Sequence, residues 1–241
     1  MFEREKDKIG NKVWTPSEGW VECTWKPERP EPIPDPALDA ELSRQAEAYL
    51  QLGFHKILRM KEKDYVASLP HIKAQPKEFA GRFDIPVIVD PRIHFLEQCE
   101  LAKVFSDTMR NLATRNWEKW KTPKVPYITW INNGKKNRNR SVDDVRKTLA
   151  PDERGATILD GLDFHIAYPN FLKEDQSIVF PGTSVTAWQH DYRSKDPGKI
   201  TRFSDAPYIH RWPGGHRLDH VLTNFGYPLH RLLTCGVDKK K

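Results

Sequence analysis

Cysteine is scarce in this chain: three in 241 residues, at Cys23, Cys99 and Cys235, with no C-x-x-C pair. An odd, scattered set argues against a disulfide framework or a cysteine zinc site and points to a reducing cytosol. Long apolar runs are missing too. No stretch approaches the roughly 18 apolar residues of a membrane span. Residues Met1-Phe2-Glu3-Arg4-Glu5-Lys6-Asp7-Lys8 have no apolar h-region, so no secretory signal is expected there. Without a secretion route, the formal sequon Asn139-Arg140-Ser141 carries no weight. There is no internal repeat, no G-x-S-x-G elbow and no Walker loop.

An excess of charge of one sign is also small. Lys and Arg number 39 against 33 Asp and Glu, a net charge of +6. A protein that coats nucleic acid concentrates more positive charge on one face. The balance permits an anionic partner without demanding one. What is present is enough for a core. Hydrophobic residues make up 38% of the chain, and eight Trp and eleven Phe supply large apolar side chains. The length allows one large domain or two small ones.

Pro27, Pro30, Pro32, Pro34 and Pro36 punctuate the start of the chain. Residues 1–34 therefore read as an extended arm, with Trp14, Trp20 and Trp25 on it. Residues 35–237 read as one globular domain and 238–241 as a basic tail. Asp35-Pro36 suits a helix start; Leu38, Leu42, Ala46, Tyr49 and Leu50 follow at helical spacing, and Gly53 sits where a C′ glycine belongs. A short helix is expected over Lys61–Ser68, a strand over Asp84–Asp90 with Pro86 marking an edge, and a helix over His94–Lys103. Arg110–Lys121 is a weaker helix candidate.

Val125–Ile131 reads as a strand ending in an Asn133-Gly134 turn. A helix capped by Ser141 and a helix capped by Thr157 follow, each with an acidic residue three positions on. Beyond Ser177 the pattern turns to short strands at 178–180, 207–209 and 221–225. The expected class is α+β: helices mainly in the front half, short mixed or antiparallel strands mainly in the back half.

The stretches Arg44-Gln45, Tyr49 to Gly53, Arg82 to Val87, Thr122-Pro123, Pro126-Tyr127 through Trp130 to Gly134, Ser141 to Leu149, Glu153 to Thr157 with Gly161, and Pro181 to Thr183 together resemble a family of uncharacterised bacterial proteins known only as a domain of unknown function. The likeness covers roughly residues 38–185. It implies no catalytic residue and no cofactor.

Four features carry candidate chemistry. The first is the basic loop, where Lys135, Lys136, Arg138 and Arg140 precede Ser141. Cations and free N–H groups at a helix start could grip a phosphate-bearing ligand, a phosphorylated partner or a nucleic-acid backbone. The same run also reads as a solvated hairpin-to-helix connection. The second is histidine. His190, His210, His216, His220 and His230 crowd the C-terminal region. His190, His210, His216 and His220, with Asp191, offer a metal-dependent hydrolase or nuclease as the alternative, although the Glu of H-E-x-x-H is missing.

The third is nucleophilic catalysis at Gly182-Thr183-Ser184 or by Cys99 or Cys235. The fourth is aromatics beside charge, at Trp188–Arg193 and His210-Arg211-Trp212, which could stack on bases or simply on neighbouring sheet residues. The leading expectation is a non-catalytic cytoplasmic protein that needs no cofactor and binds an anion at 135–141. A protein partner recognised through residues 11–34 is the other alternative.

Overall fold

The computed structural model describes residues 12–15, 19–22, 36–71, 74–110, 112–116, 120–173, 176–190, 200–222 and 230–237. The chain forms two compact units, Met1–Ile33 and Pro34–Lys241. In the first, strands β1 (Lys12–Thr15) and β2 (Gly19–Glu22) pair antiparallel, with Trp14 opposite Trp20.

The second unit opens with helix α1 (Pro36–Leu52), which has Pro at its first position and Gly53 just past its end at φ +85°. Leu38, Leu42, Gln45, Ala46 and Tyr49 form its buried stripe. Short helices α2 (Phe54–Ile57) and α3 (Glu62–Ala67) follow. Strand β3 (Ile85–Val89) lies at the edge of a four-stranded sheet, and α1 closes that edge. The Ile88 N–H donates to Gln45 Oε1 at 2.9 Å, and Gln45 Nε2 donates to the Pro86 carbonyl at 2.8 Å. The Tyr49 hydroxyl donates to the Ile88 carbonyl at 2.5 Å. Pro86 has no N–H to leave open. Side chains thus stand in for a missing neighbour strand.

Helix α4 (Phe95–Leu101) leads into the two-residue strand β4 (Val104–Phe105), then β5 (Ala113–Asn116) and β6 (Tyr127–Ile131). The segment 110–121, expected as a helix, contains a strand at Ala113–Asn116 instead. Its centre is a strand because β9 (Thr183–His190) supplies an antiparallel partner, from Ala113 opposite Thr186 to Asn116 opposite Thr183. That partner is far away in the sequence, so no local pattern announces it.

Next come α5 (Val142–Lys147), β7 (Glu153–Gly155), α6 (Ile158–Ala167) and β8 (Ser177–Val179). The hairpin strands β10 (Ile200–Trp212) and β11 (Gly215–Leu222) and the short strands β12 (His230–Leu232) and β13 (Thr234–Gly236) complete the described chain. The four-stranded sheet runs β3-β6-β13-β7, so a strand from the C-terminal end sits between two strands from mid-chain. The seven-stranded sheet runs β12-β8-β10-β11-β4, with β9 also pairing β10 and β5 pairing β9. Two of its pairs, β11–β4 and β12–β8, are parallel. The class is α+β. One back-half strand is not short: β10 spans 13 residues and serves β9 with its first half and β8 with its second.

Helix α6 is buried almost all round and organises the core. Its Leu162 and Phe164 pack with Val87, Ile178, Phe180 and Ile209, while its Ile166 joins Leu42, Tyr49 and Phe83. A fully buried side chain such as Phe164 contributes roughly 1.5–3 kcal/mol. The Phe180 ring lies on the α6 backbone at Gly161, where a Cβ would come within 2.0 Å of it.

The start of α6 holds a fully buried ion pair between Arg154 and Asp160. Thr157 and Asp160 make the expected reciprocal cap. Asp160 Oδ2 also accepts from Arg154 at 2.6 Å, and Asp160 Oδ1 accepts from Arg154 at 3.0 Å and from the Tyr127 hydroxyl at 3.0 Å. The Arg154 guanidinium is stacked 4.3 Å from the Trp120 ring. Burial alone would raise the Asp160 pKa, but Arg154 and Thr157 hold it below the ordinary carboxylate range.

Candidate functional site

The basic loop forms as its sequence predicts, but its cations diverge. Gly134 takes φ +68° with its α-carbon against Arg231, where a Cβ would meet the Arg231 side chain at 2.7 Å. Lys135–Asn137 make one 3-10 turn, and the buried Asn137 side chain donates to the Leu232 carbonyl. Lys136 Nζ pairs with Glu153 at 2.7 Å. Arg140 folds over α5, donating to the Asp144 carbonyl at 3.0 Å and to the Thr148 hydroxyl.

Ser141 caps α5 by accepting the Asp144 N–H at 3.0 Å, and its hydroxyl donates to the Asp144 carboxylate at 2.7 Å. That bond, ahead of the nearby cations, lowers the Asp144 pKa. The Asp144 carboxylate thus meets Ser141 through its hydroxyl, and the full capping box found at Thr157 is not formed here. Lys135 and Arg138 stay exposed. Of the five residues read as an anion grip, Lys136, Arg140 and Ser141 already have partners within the chain.

The histidines are brought near one another on the β10–β11 hairpin but not into one cluster. His216, Leu218 and His220 alternate along β11 and share a face, whereas His210, opposite Arg217, belongs to the other face. His220 Nδ1 lies 2.5 Å from Asp205, and that contact raises the His220 pKa. His210 sits between Tyr208 and Trp212, with ring centroids at 5.2 and 6.1 Å. Burial lowers its pKa. The His190 side chain and Asp191 lie outside the described residues, as does the His230 side chain. Among the described residues no three His, Cys, Asp or Glu side chains are grouped to hold a metal.

The nucleophile candidates have structural roles. The Thr183 hydroxyl accepts the Ile158 N–H at 2.9 Å, and Arg146 ties down the Pro181 and Thr183 carbonyls at 2.9 Å each. Cys99 and Cys235 are buried free thiols, and burial pushes each pKa up to about 12. Neither thiol supplies a thiolate at neutral pH. Cys23, Trp25 and Tyr192 lie outside the described residues, as does most of the arm at 11–34.

Two features escaped the sequence pattern. One is a buried acid cluster. Asp163 is fully buried and accepts the Asp90 N–H at 3.2 Å, while Asp90 grips Arg92 at 2.7 and 2.8 Å. Burial drives the Asp163 pKa well above the ordinary carboxylate value. With both carboxyl groups fully buried, it reads as core polarity rather than a site.

The other feature is open to solvent. A cavity of about 590 Å³ lies beside the turn of the β10–β11 hairpin, lined by Asn170, Lys173, Arg211, Trp212 and His216 among others. Its described lining contains no acidic residue, and neither Lys173 nor Arg211 pairs with a carboxylate among the described residues. Below it, the His216 ring packs edge to face on His165 of α6, with centroids 4.3 Å apart. His165 also lines a second hollow of about 260 Å³ with Ala48, Gln51 and Leu52.

Burial and its His216 neighbour take the His165 pKa down to about 3, so it is a neutral imidazole. Burial, then Arg211 and His210, lower that of His216. Arg211 and Trp212 were visible in the sequence beside a histidine. Lys173 and His165 carried no signal, because only the fold brings them to the hairpin. No protein-family model, curated protein or solved structure matches the chain.

Proposed function

We propose that the protein is a non-catalytic module that binds an anionic, phosphate-bearing ligand, and that it does so in the hairpin cavity rather than at the 135–141 loop. The observation that carries this reading is the cavity of about 590 Å³ lined by Lys173, Arg211, His216 and Asn170 and by no described acid. Its size suits a small ligand, for which sites commonly span roughly 300–1,000 Å³. Arg211 offers a planar fork of donors, Lys173 a mobile point charge and Asn170 an amide, a set that matches oxyanion chemistry. Trp212, 55% exposed, also lines the cavity, although its ring lies with His210 and Arg217 on the other face of the hairpin.

The loop supports the reading less well, because Lys136 and Arg140 are engaged within the chain. The buried free thiols Cys99 and Cys235 agree with a reducing, cytoplasmic setting.

Calorimetric titration with inorganic pyrophosphate and with adenosine monophosphate tests the reading. Binding that weakens steeply with added salt and falls at least ~10-fold in Arg211→Ala is expected, as for a charge-assisted contact. Binding of neither compound, or full affinity in Arg211→Ala, overturns it.

A further inference from the structure

The cavity has a feature that a plain cation-lined site does not need. Among the described lining residues only His216 carries an imidazole, the side chain whose ordinary pKa lies nearest neutrality, and it is seated on a second imidazole. His216 Nε2 and His165 Nδ1 are both buried and take no hydrogen bond among the described residues. Two orphaned ring nitrogens in touching rings are an unusual pairing in a core, since buried polar atoms normally find partners. Nδ1 of His216 is left for the ligand.

Resting on the anion reading above, we infer that the cavity takes up a proton together with its anion, His216 passing from neutral imidazole to imidazolium as the anion enters. The proton comes from solvent. It places a third positive charge against the bound oxyanion, beside Arg211 and Lys173. His165, a neutral imidazole, sets no second positive charge beside the new imidazolium.

The groups around His216 account for its resting state. On β10, Arg211 stands opposite it in register and His210 lies on the far face. From α6 comes His165 and from the segment after α6 comes Lys173. On β4 the register partner is Val104, which brings no charge. Arg217 and Asp219 of β11 alternate to the other face. No described carboxylate therefore faces His216, and burial with Arg211 and His210 lowers its pKa. An anion against Arg211 removes the repulsion and adds an attraction. Both changes raise the His216 pKa, so affinity strengthens as pH falls toward the free-state value and levels off below it.

Inorganic sulfate is the suitable probe, because its charge stays fixed across this range. Titrations of the full chain at about pH 7.5 and about pH 5.5 should show sulfate binding several-fold to ~10-fold tighter at the lower pH, since one linked proton changes affinity at most about tenfold per pH unit. Calorimetry in two buffers of different ionisation heat should show net proton uptake. His216→Gln should bind with the same affinity at both pH values.

If that variant does not fold, the ring-proton titration of His216 by NMR replaces it. Its midpoint should move up when sulfate is added. Equal affinity at the two pH values, a pH slope retained in His216→Gln, or an unmoved midpoint overturns the proton-uptake inference alone. Absence of sulfate, pyrophosphate and nucleotide binding at both pH values overturns the anion reading, and this inference with it.

Discussion

Replacing Asp160 by Asn should be among the most damaging single changes of one atom type in the chain. The carboxylate accepts from both terminal nitrogens of Arg154, from the Tyr127 hydroxyl and from the N–H and hydroxyl of Thr157. Every partner points a hydrogen at it. An amide nitrogen in place of either oxygen turns an acceptor into a donor facing donors. It also leaves the Arg154 charge without its counterion, although the Arg154 side chain is only 4% exposed.

Breaking a buried pair in this way costs about 3–5 kcal/mol, against roughly 5–15 kcal/mol of total stability for a typical domain. Weakening of the reciprocal half of the capping box, in which the Asp160 carboxylate accepts the Thr157 N–H, is part of that sum, while the Thr157 hydroxyl still caps the helix. Urea unfolding followed by tryptophan fluorescence reads the loss as a lower midpoint at unchanged slope. The double replacement Arg154→Met with Asp160→Leu removes both charges and should cost less than Asp160→Asn alone, because no buried charge is left unpaired. A loss below about 1 kcal/mol in Asp160→Asn, or a double variant worse than the single one, would refute the reasoning.

Other consequences follow from the same contacts. Gly161→Ala must displace the Phe180 ring, which a Cβ would approach to 2.0 Å, and should cost at least ~1–3 kcal/mol as an overpacked core does; a neutral result in urea unfolding would mean the ring moves freely. His165, with its pKa taken down to about 3, should make the fold lose stability as pH falls below the ordinary histidine value of 6.5, by at most about 1.4 kcal/mol per pH unit until the folded value is reached, and His165→Phe should flatten that slope. Asp163→Asn should leave stability at neutral pH within about 1 kcal/mol of the parent or raise it, since burial disfavours the charged form that the unfolded chain holds. The pair Arg138→Ala and Arg140→Ala should leave phosphate binding intact while weakening α5, which loses its Asp144 and Thr148 contacts.

How much of this was legible in the sequence depends on the distance between partners. Helix α1, its Gly53 end, the Asn133-Gly134 turn and the caps at Ser141 and Thr157 rest on residues within a turn of one another, and all are present. Pro86 correctly marked an edge strand, since a missing N–H is a local fact. Strand β13 between β6 and β7, and β5 on β9, depend on partners far along the chain. The sequence also could not show that Gln45 and Tyr49 would close the β3 edge, because the helical stripe looks the same whether its polar member meets water or a backbone.

The candidate site divides in the same way. The charge run at 135–140 was conspicuous because it is contiguous, yet Glu153 and the end of α5 draw two of its members away. The cavity proposed to hold the anion assembles Lys173, Arg211 and His216 from separate segments over His165. It has no contiguous motif to announce it.

The most direct test of the anion reading compares two double variants in one calorimetric titration with pyrophosphate. Lys173→Ala with Arg211→Ala removes the cavity's permanent cations, and Arg138→Ala with Arg140→Ala removes those of the loop. The cavity pair should lose at least ~10-fold in affinity while the loop pair matches the parent chain, as expected when charge-assisted contacts are made at the cavity alone. Loss in the loop pair with full binding in the cavity pair would contradict the account.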